Sequence, residues 1–362
     1  MTSQAATRQT ATLKAATLPP ETLPILDFRR FDQGDAARLV FLKDLREAAR
    51  GPGFFYLTGH GIPQTLIEEV LRLSRRFFDL PEEDKLAIEM VKSPHFRGYN
   101  RAGFEHTRGK PDWREQVDIG AEKRARPVDP TAPAWTRLQG PNQWPAALPE
   151  LQLTILRYQQ EITQLGIRVL QAFALALGQK ADVFEPIYTP EPNQLLKIVR
   201  YPGREKSEGD QGVGAHKDSG FLTLLLQDVQ GGLQVEGERG WIDAPPISGT
   251  FVVNIGEILE LASNGYLRAN VHRVVSPPVG TDRLSVPFFL GAHLAAEVPL
   301  LKLSPDLAAG ARGLTQDPLN PLFREVGRNY LKSRLRSHPD VARRHHPDLV
   351  DVSKPAAPAS SY

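Results

Sequence analysis

The apolar positions of this chain follow two regimes. Up to about residue 178 they recur with a helical period; from Leu195 to Leu290 they alternate or run in short blocks. Leu39, Leu42, Leu45 and Ala49 mark a helix over 35–50 that Gly51-Pro52-Gly53 stops. Leu66, Val70, Leu73 and Phe77 form one stripe on a second helix, with Pro63 at its start. Pro81 followed by Glu82, Glu83 and Asp84 reads as a third helix start, with acids in the first turn. The strongest helix runs over 149–178. Leu151, Ile155, Tyr158, Ile162, Leu165, Val169, Ala172 and Ala176 keep one face throughout, and Gly178 ends it. At ~1.5 Å per residue this is a rod of about 45 Å, suited to supporting a sheet. Short strands are expected at 23–28 and 54–57.

In the second regime, strands are expected at 195–201, 221–227, 233–236, 241–244, 251–255, 269–276 and 283–290. Gly231-Gly232, Gly240, Gly249 and Gly280 punctuate them, and a short helix at 257–262 interrupts the run. Many short strands with glycine turns indicate a barrel or a two-sheet jelly roll. Beyond Pro305 the period is helical again, through Phe323, Val326, Tyr330 and Leu335. Between 93 and 145 no period survives among Pro, Gly and charged residues, with Trp113, Trp135 and Trp144 interspersed. That reads as a long aromatic loop of the kind that covers a binding site.

The chain thus divides into a disordered arm (1–20), an N-terminal α/β region (21–145) with the long loop 93–145, the long helix plus β-domain (146–305), C-terminal helices (306–352) and a disordered tail (353–362). The arm lacks acids and is rich in Ala, Thr and basic residues, a composition that transit peptides share.

Composition narrows the chemistry. With 362 residues the chain can bury a large core as one domain or two intimate ones. A net charge of +2, from 44 basic and 42 acidic residues, leaves no nucleic-acid footprint. The absence of cysteine excludes disulfides, thiolate zinc sites, iron–sulfur clusters and cysteine nucleophiles, and is compatible with the cytoplasm. No apolar run reaches the roughly 18 residues that span a bilayer. The expected partner is a small molecule, not nucleic acid or membrane, and the expected state is a monomer or weak homo-oligomer.

Candidate chemistry gathers between Gly212 and Gly291. His-x-Asp alone is weak: nine His and twenty Asp give about half a copy by chance, and the chain has three. His338-Pro339-Asp340 and His346-Pro347-Asp348 carry proline, poorly tolerated inside a strand, and lie beyond the strand region. His216-Lys217-Asp218 opens into a strand, where residues two apart share a face and can meet one ion, with Lys217 turned away. Arg-x-Ser occurs twice. Arg72 and Ser74 sit on a helix and point apart, whereas Arg283 and Ser285 sit on a strand and point together. His272, between the two motifs, is the third candidate ligand. The eleven residues from His272 to Arg283 allow a hairpin that would place both on adjacent strands of one wall.

With these residues the chain resembles the iron(II)/2-oxoglutarate-dependent dioxygenases, in the branch related to isopenicillin N synthase. The matching stretches are 23–28, 53–63, 77–85, 197–202, 214–227, 231–235, 241–256 and 272–289. The resemblance implies an α+β fold whose core is a double-stranded β-helix (jelly roll), flanked by helices that include the long one. It implies that His216, Asp218 and His272 bind Fe(II), and that Arg283, Ser285 and Tyr201 hold the co-substrate 2-oxoglutarate. O2 would be the oxidant, with succinate and CO2 formed and a small organic molecule hydroxylated, desaturated or cyclised. Phe289 matches a position that lines the substrate pocket. Many relatives carry asparagine where this chain has Val199, and plant flavonoid relatives often carry an acid where it has Gly291. His60 reads as part of a structural turn, and His95 and His106 lie in the loop that could touch substrate. The alternatives are a 2-oxoglutarate-independent iron oxidase or cyclase of the same branch, or a non-catalytic metal- and metabolite-binding protein.

Overall fold

The protein is described by a computed structural model over residues 21–107, 109–127, 129–205, 209–314 and 321–350; the expected arm and tail lie outside the described residues. In chain order the strands are β1 (Ile25–Asp27), β2 (Phe54–Thr58), β3 (Gly98–Asn100), β4 (His106–Thr107), β5 (Lys110–Pro111), β6 (Glu115–Gly120), β7 (Asn193–Pro202), β8 (Gln211–His216), β9 (Leu222–Gln227), β10 (Leu233–Gly237), β11 (Gly240–Asp243), β12 (Phe251–Ile255), β13 (His272–Val275) and β14 (Asp282–Gly291). The helices are α1 (Asp35–Arg50), α2 (Gln64–Phe78), α3 (Glu82–Ala87), α4 (Glu150–Ala176), α5 (Glu185–Tyr188), α6 (Glu257–Ala262), α7 (Pro305–Ala308), α8 (Val326–Ser337) and α9 (Pro339–His345).

All eight stripe residues of α4 are buried, as are the four of α2. Each contributes roughly 1.5–3 kcal/mol when it is a large apolar side chain, so the stripe fixes which way the rod faces. It lies on β9 and β14, with α1 and α2 packed alongside. At Gly166 a Cβ would come to 3.1 Å from Leu290 on β14. Glycine there lets helix and sheet approach closely.

Two sheets face each other. The larger has the order β1-β2-β12-β9-β14-β7-β6-β3 and the smaller β11-β10-β13-β8. Alternation divides the larger sheet. Leu222, Leu224, Leu226, Phe288 and Leu290 turn toward the helices, while Val199, Tyr201, Leu225 and Val252 turn inward. There they meet Val213, Leu233, Val235, Ile242 and Val274 of the smaller sheet. This is the jelly roll of the α+β reading, with its supporting helix.

Two expectations are corrected. First, 93–145 is not a loop: β3 and β6 extend the larger sheet beyond β7, and β4 pairs with β5. All six residues of β6 are buried despite Glu115 and Asp118, because each acid meets cations from distant parts of the chain. Glu115 lies 2.8 Å from Arg200 and 3.4 Å from Lys85, and Asp118 lies 2.7 Å from Arg334. Buried charges are tolerated when paired in this way, so the strand carries no apolar alternation to read. Second, β13 and β14 do not share a wall. β13 pairs with β8 and β10, whereas β14 pairs with β7 and β9. The connection through Pro277 and Gly280 crosses between sheets, so His272 and Arg283 belong to opposite layers.

Candidate active site

β8, read from the sequence only as the approach to a strand, pairs with β13 so that His216 stands opposite His272. Their rings lie 4.3 Å apart between centroids. Asp218, just past the end of β8, places Oδ1 3.6 Å from His216 Nε2 and 3.7 Å from His272 Nε2. The three ligand atoms lie within 4.8 Å of one another, and among the described residues no other His, Asp and Glu side chains gather in this manner.

Neighbouring groups set which atoms face the centre. Nδ1 of His216 is 2.8 Å from the Gly214 carbonyl and Nδ1 of His272 is 3.3 Å from that of Asn270. With Nδ1–H donating outward, each Nε2 keeps its lone pair for a metal. Asp218 Oδ2 accepts from Thr223 Oγ1 at 2.5 Å and Asn254 Nδ2 at 2.8 Å, leaving Oδ1 free. Thr223 and Asn254 are register partners on β9 and β12. Nothing in the sequence singled them out.

Electrostatics agree. Burial alone would raise the Asp218 carboxyl, but His272, His216 and Thr223 more than offset it and hold it well below the usual range. Burial and then the neighbouring His216 push His272 down to about 4. The metal-free His216 is raised: burial opposes this, and Asp218 outweighs it. A carboxylate with two imidazoles on one side is a donor set that fits iron(II) and leaves coordination positions open.

Arg283 and Ser285 lie on β14, both essentially inaccessible to solvent, as the strand alternation requires. Arg283 Nη1 donates to Ser285 Oγ at 3.1 Å and Nη2 to Gln227 Oε1 at 2.8 Å, while its Nε has no partner. The guanidinium sits 5.0 Å from the centre of the Tyr201 ring, on the neighbouring β7. Burial holds its pKa below the ordinary arginine value. Among the described residues no carboxylate comes within ion-pair distance of it. Val199 packs in the interior and offers no polar contact. Gln227, which the sequence reading missed, supplies the polar contact here; its only signal is the register that sets it beside Ser285.

A cavity of about 240 Å³ opens beside His216 and Asp218, lined by Phe289, Leu195 and Val213 and by residues of α8. Phe289 faces this cavity, whereas Phe288 packs outward in the core. A Cβ at Gly291 would collide with the Tyr330 hydroxyl, so an acid at that position requires Tyr330 to shift. His106 lines the cavity, but His95 is buried, its Nδ1 2.9 Å from the Arg137 carbonyl. His60 Nδ1 accepts from the Ile62 amide at 3.1 Å within its turn. Lys217 points off to Glu260, 3.3 Å away.

The two C-terminal His-x-Asp copies serve packing. His338, nearly inaccessible, shares a hydrogen with Ser337 across 2.7 Å. His346 Nε2 is 2.8 Å from the Pro94 carbonyl, and Asp348 pairs with Arg137 at 2.7 Å. Arg72 pairs with Glu69 on the surface of α2 while Ser74 is buried, so that Arg-x-Ser does point apart.

Comparison with known proteins follows the same lines. Residues 23–147 match the family model described as non-haem dioxygenase in morphine synthesis N-terminal, and 192–292 that of the 2OG-Fe(II) oxygenase superfamily. The chain is 38% identical over 347 residues to the 2-oxoglutarate-dependent dioxygenase frbJ of Dothideomycetidae sp. (strain 11243), covering 90% of this chain and 93% of that one. It is 36% identical over 306 residues to an Arabidopsis thaliana homoarginine-6-hydroxylase, covering 80% and 90%. Among solved structures, Neurospora crassa T7H in complex with alpha-KG and 5-formyluracil superposes with a TM-score of 0.69 at 27% identity, covering 92% and 99%. JOX2 in complex with 2OG, Fe and JA gives 0.67 at 26%, covering 88% and 87%.

Proposed function

The chain belongs to the 2OG-Fe(II) oxygenase superfamily, and from that premise we propose that His216, Asp218 and His272 hold its iron while Arg283, Ser285 and Tyr201 hold 2-oxoglutarate. The protein is an iron(II)- and 2-oxoglutarate-dependent dioxygenase that oxidises a small organic molecule. Bound iron, with 2-oxoglutarate and O2, supplies an oxidative decarboxylation to succinate and CO2 that drives oxidation of the substrate.

This chain's side chains set the geometry. His216 and His272 present Nε2 because their Nδ1 atoms are tied to backbone carbonyls, and Asp218 presents Oδ1 because Thr223 and Asn254 hold Oδ2. Arg283 carries the reading of the co-substrate. A fully buried guanidinium without a carboxylate partner is costly, and a distal carboxylate taking both prongs removes that cost. Ser285 adds a hydroxyl, and the Tyr201 ring fixes the fork from one side. The apolar interior between the sheets keeps bulk water from these groups. Phe289 positions the substrate beside Asp218. Hydroxylation is the default outcome, with hydrogen removed from a carbon held at this edge.

We place the division of the chain at 21–145 and 146–305, with 306–352 following, and its location in the cytoplasm. Among the described residues no helix is long and apolar enough to cross a membrane. The test is direct. Protein loaded with iron(II) and 2-oxoglutarate under argon should develop the visible charge-transfer band of an iron(II)–2-oxo acid chelate, and on aeration should form one succinate per O2 consumed. Oxygen uptake without succinate would sink the 2-oxoglutarate assignment.

A further inference from the structure

One wall of the cavity carries charges that neither the iron ligands nor the Arg283 clamp uses. Glu105, Arg114, Lys197 and Arg334 line it together, alongside His216 and Asp218. They come from the residue before β4, the residue before β6, the middle of β7 and α8. Lys197 lies in the inward phase of β7, between Leu195 and Val199, with Asp118 of β6 directly opposite. Its ammonium is 3.3 Å from Glu105 and 3.7 Å from Asp118. Arg114 is 2.8 Å from Glu105, and Arg334 is 2.7 Å from Asp118. Glu105, Lys197 and Arg334 are each less than a tenth exposed.

Donors outnumber acceptors here. Glu105 has one oxygen taken by Lys197 and the other by Arg114. Asp118 accepts from Gln116 on one oxygen and Arg334 on the other. Lys197 has three N–H groups, and among the described residues only Glu105 lies within hydrogen-bond distance of them. Two donors therefore remain on a buried ammonium at a cavity wall, where an acceptor is needed.

Charge selects the acceptor. Arg114, Lys197 and Arg334 are offset by Glu105 and Asp118. Asp112 sits behind Arg114 at 3.7 Å, already served by Thr107, Gln211 and the Gly214 amide. Three cations thus meet three carboxylates, so the wall is close to neutral and offers an acceptor the spare N–H groups of Lys197 rather than excess charge. Such a wall admits a single carboxylate more readily than a doubly charged phosphate. The rest of the lining, Leu195, Val213 and Phe289, suits a carbon skeleton.

We infer that the primary substrate is a small carboxylic acid, its carboxylate held by Lys197 and Arg334 and its carbon skeleton lying along Leu195 and Phe289 toward the metal ligands. Lys197 and Arg334 are thus specificity residues. The competing account makes the same ions a scaffold that ties α8 to β6.

This inference rests on the oxygenase reading, and the experiment separates the two. The full-length protein, loaded with redox-inert zinc(II) and 2-oxoglutarate, is screened by saturation-transfer NMR against small monocarboxylic acids, each paired with its own primary amide. Acids should bind, and their amides about 10- to 100-fold more weakly, the range that a lost charge-assisted hydrogen bond gives. Lys197→Met should erase the acid's advantage. Glu105→Gln should keep or strengthen it, because it frees Lys197 from a competitor. A scaffold predicts instead that both substitutions weaken acid and amide alike, which would overturn the proposal. So would a wild-type protein that never prefers an acid to its amide, a comparison that stands even if Lys197→Met does not fold. Failure of the oxygenase reading shows elsewhere: the iron-loaded wild type would yield no charge-transfer band and no succinate.

Discussion

Replacing Arg283 with methionine keeps the length of the side chain and removes both its charge and its fork. In the free protein the guanidinium hydrogen-bonds the neutral Ser285 and Gln227 and lies against the Tyr201 ring, with Nε unpaired and no carboxylate at ion-pair distance among the described residues. The distal carboxylate of 2-oxoglutarate would thus be its direct ion-pair partner. Losing one partner of a buried, two-pronged charge pair costs roughly 2–5 kcal/mol, which weakens 2-oxoglutarate binding by about 30-fold to several thousand-fold. A co-substrate at one hundred times its Kd stabilises the wild type by about 2.7 kcal/mol. Unfolding entropy of about 2.1 cal/mol/K per residue, over a chain this long, converts that to a Tm rise of roughly 3–4 °C. At the same concentration the variant should gain about 1 °C or less. The assay is a pair of melts, with and without 2-oxoglutarate, on zinc-loaded wild type and variant. Arg283→Lys, which keeps the charge but loses the fork, should fall between them. A variant with the full wild-type shift would refute the clamp and favour an enzyme in which Arg283 holds the substrate's own carboxylate.

Three further outcomes are expected. Asp218→Ala should abolish iron-dependent succinate formation and the visible band, whereas Asp340→Ala, at the start of α9, should retain both; equal damage would break the distinction between the His-x-Asp copies. Gly291→Asp should force Tyr330 aside and destabilise the fold by roughly 1–3 kcal/mol, the usual cost of overpacking, read from urea melts; wild-type stability would show that α8 yields freely. Burial, against the pull of Glu105, pushes His338 down to about 4 from the ordinary 6.5. Between those values the unfolded chain holds a proton that the folded one does not, so stability falls as pH drops from about 6.5 toward 4, by at most about 3 kcal/mol for this residue. His338→Asn should flatten that part of a stability-versus-pH curve, and an unchanged slope would exclude His338 as its source.

What was legible in the sequence was whatever repeats or stands in a short local pattern. The stripes of α2 and α4, the outward leucines of β9 and the paired positions 216/218 and 283/285 all depend on spacing over a few neighbouring residues. What was hidden depends on partners far along the chain. β6 escaped because Glu115 and Asp118 are compensated by Arg200, Lys197 and Arg334, which lie 79 to 216 residues away. β8 escaped because Gly212 and Gly214 interrupt its apolar alternation. The wrong wall assigned to His272 and Arg283 came from treating a connection of hairpin length as a hairpin. One clue was available: a lysine in the inward phase of β7, between Leu195 and Val199, is out of place in a core strand.

The origin of the cavity's walls bears on how such a protein can diverge. The proposed metal and oxo-acid positions rest on β7, β8 and the residues just after it, β9, β13 and β14, inside the two facing sheets. Much of the opposite wall comes from outside that pair of layers, from the β4–β5 hairpin and its flanks and from α8. Mutation can therefore explore new ligands in those appendages while the reaction chemistry is inherited intact. The exploration is not free, however, because Asp118 joins Arg334 on α8 to Lys197 on β7. A change at one of these three positions leaves a buried ion without its counterpart, so accepted changes should arrive in sets. A lineage shifting to a neutral ligand should lose lysine, arginine and aspartate together.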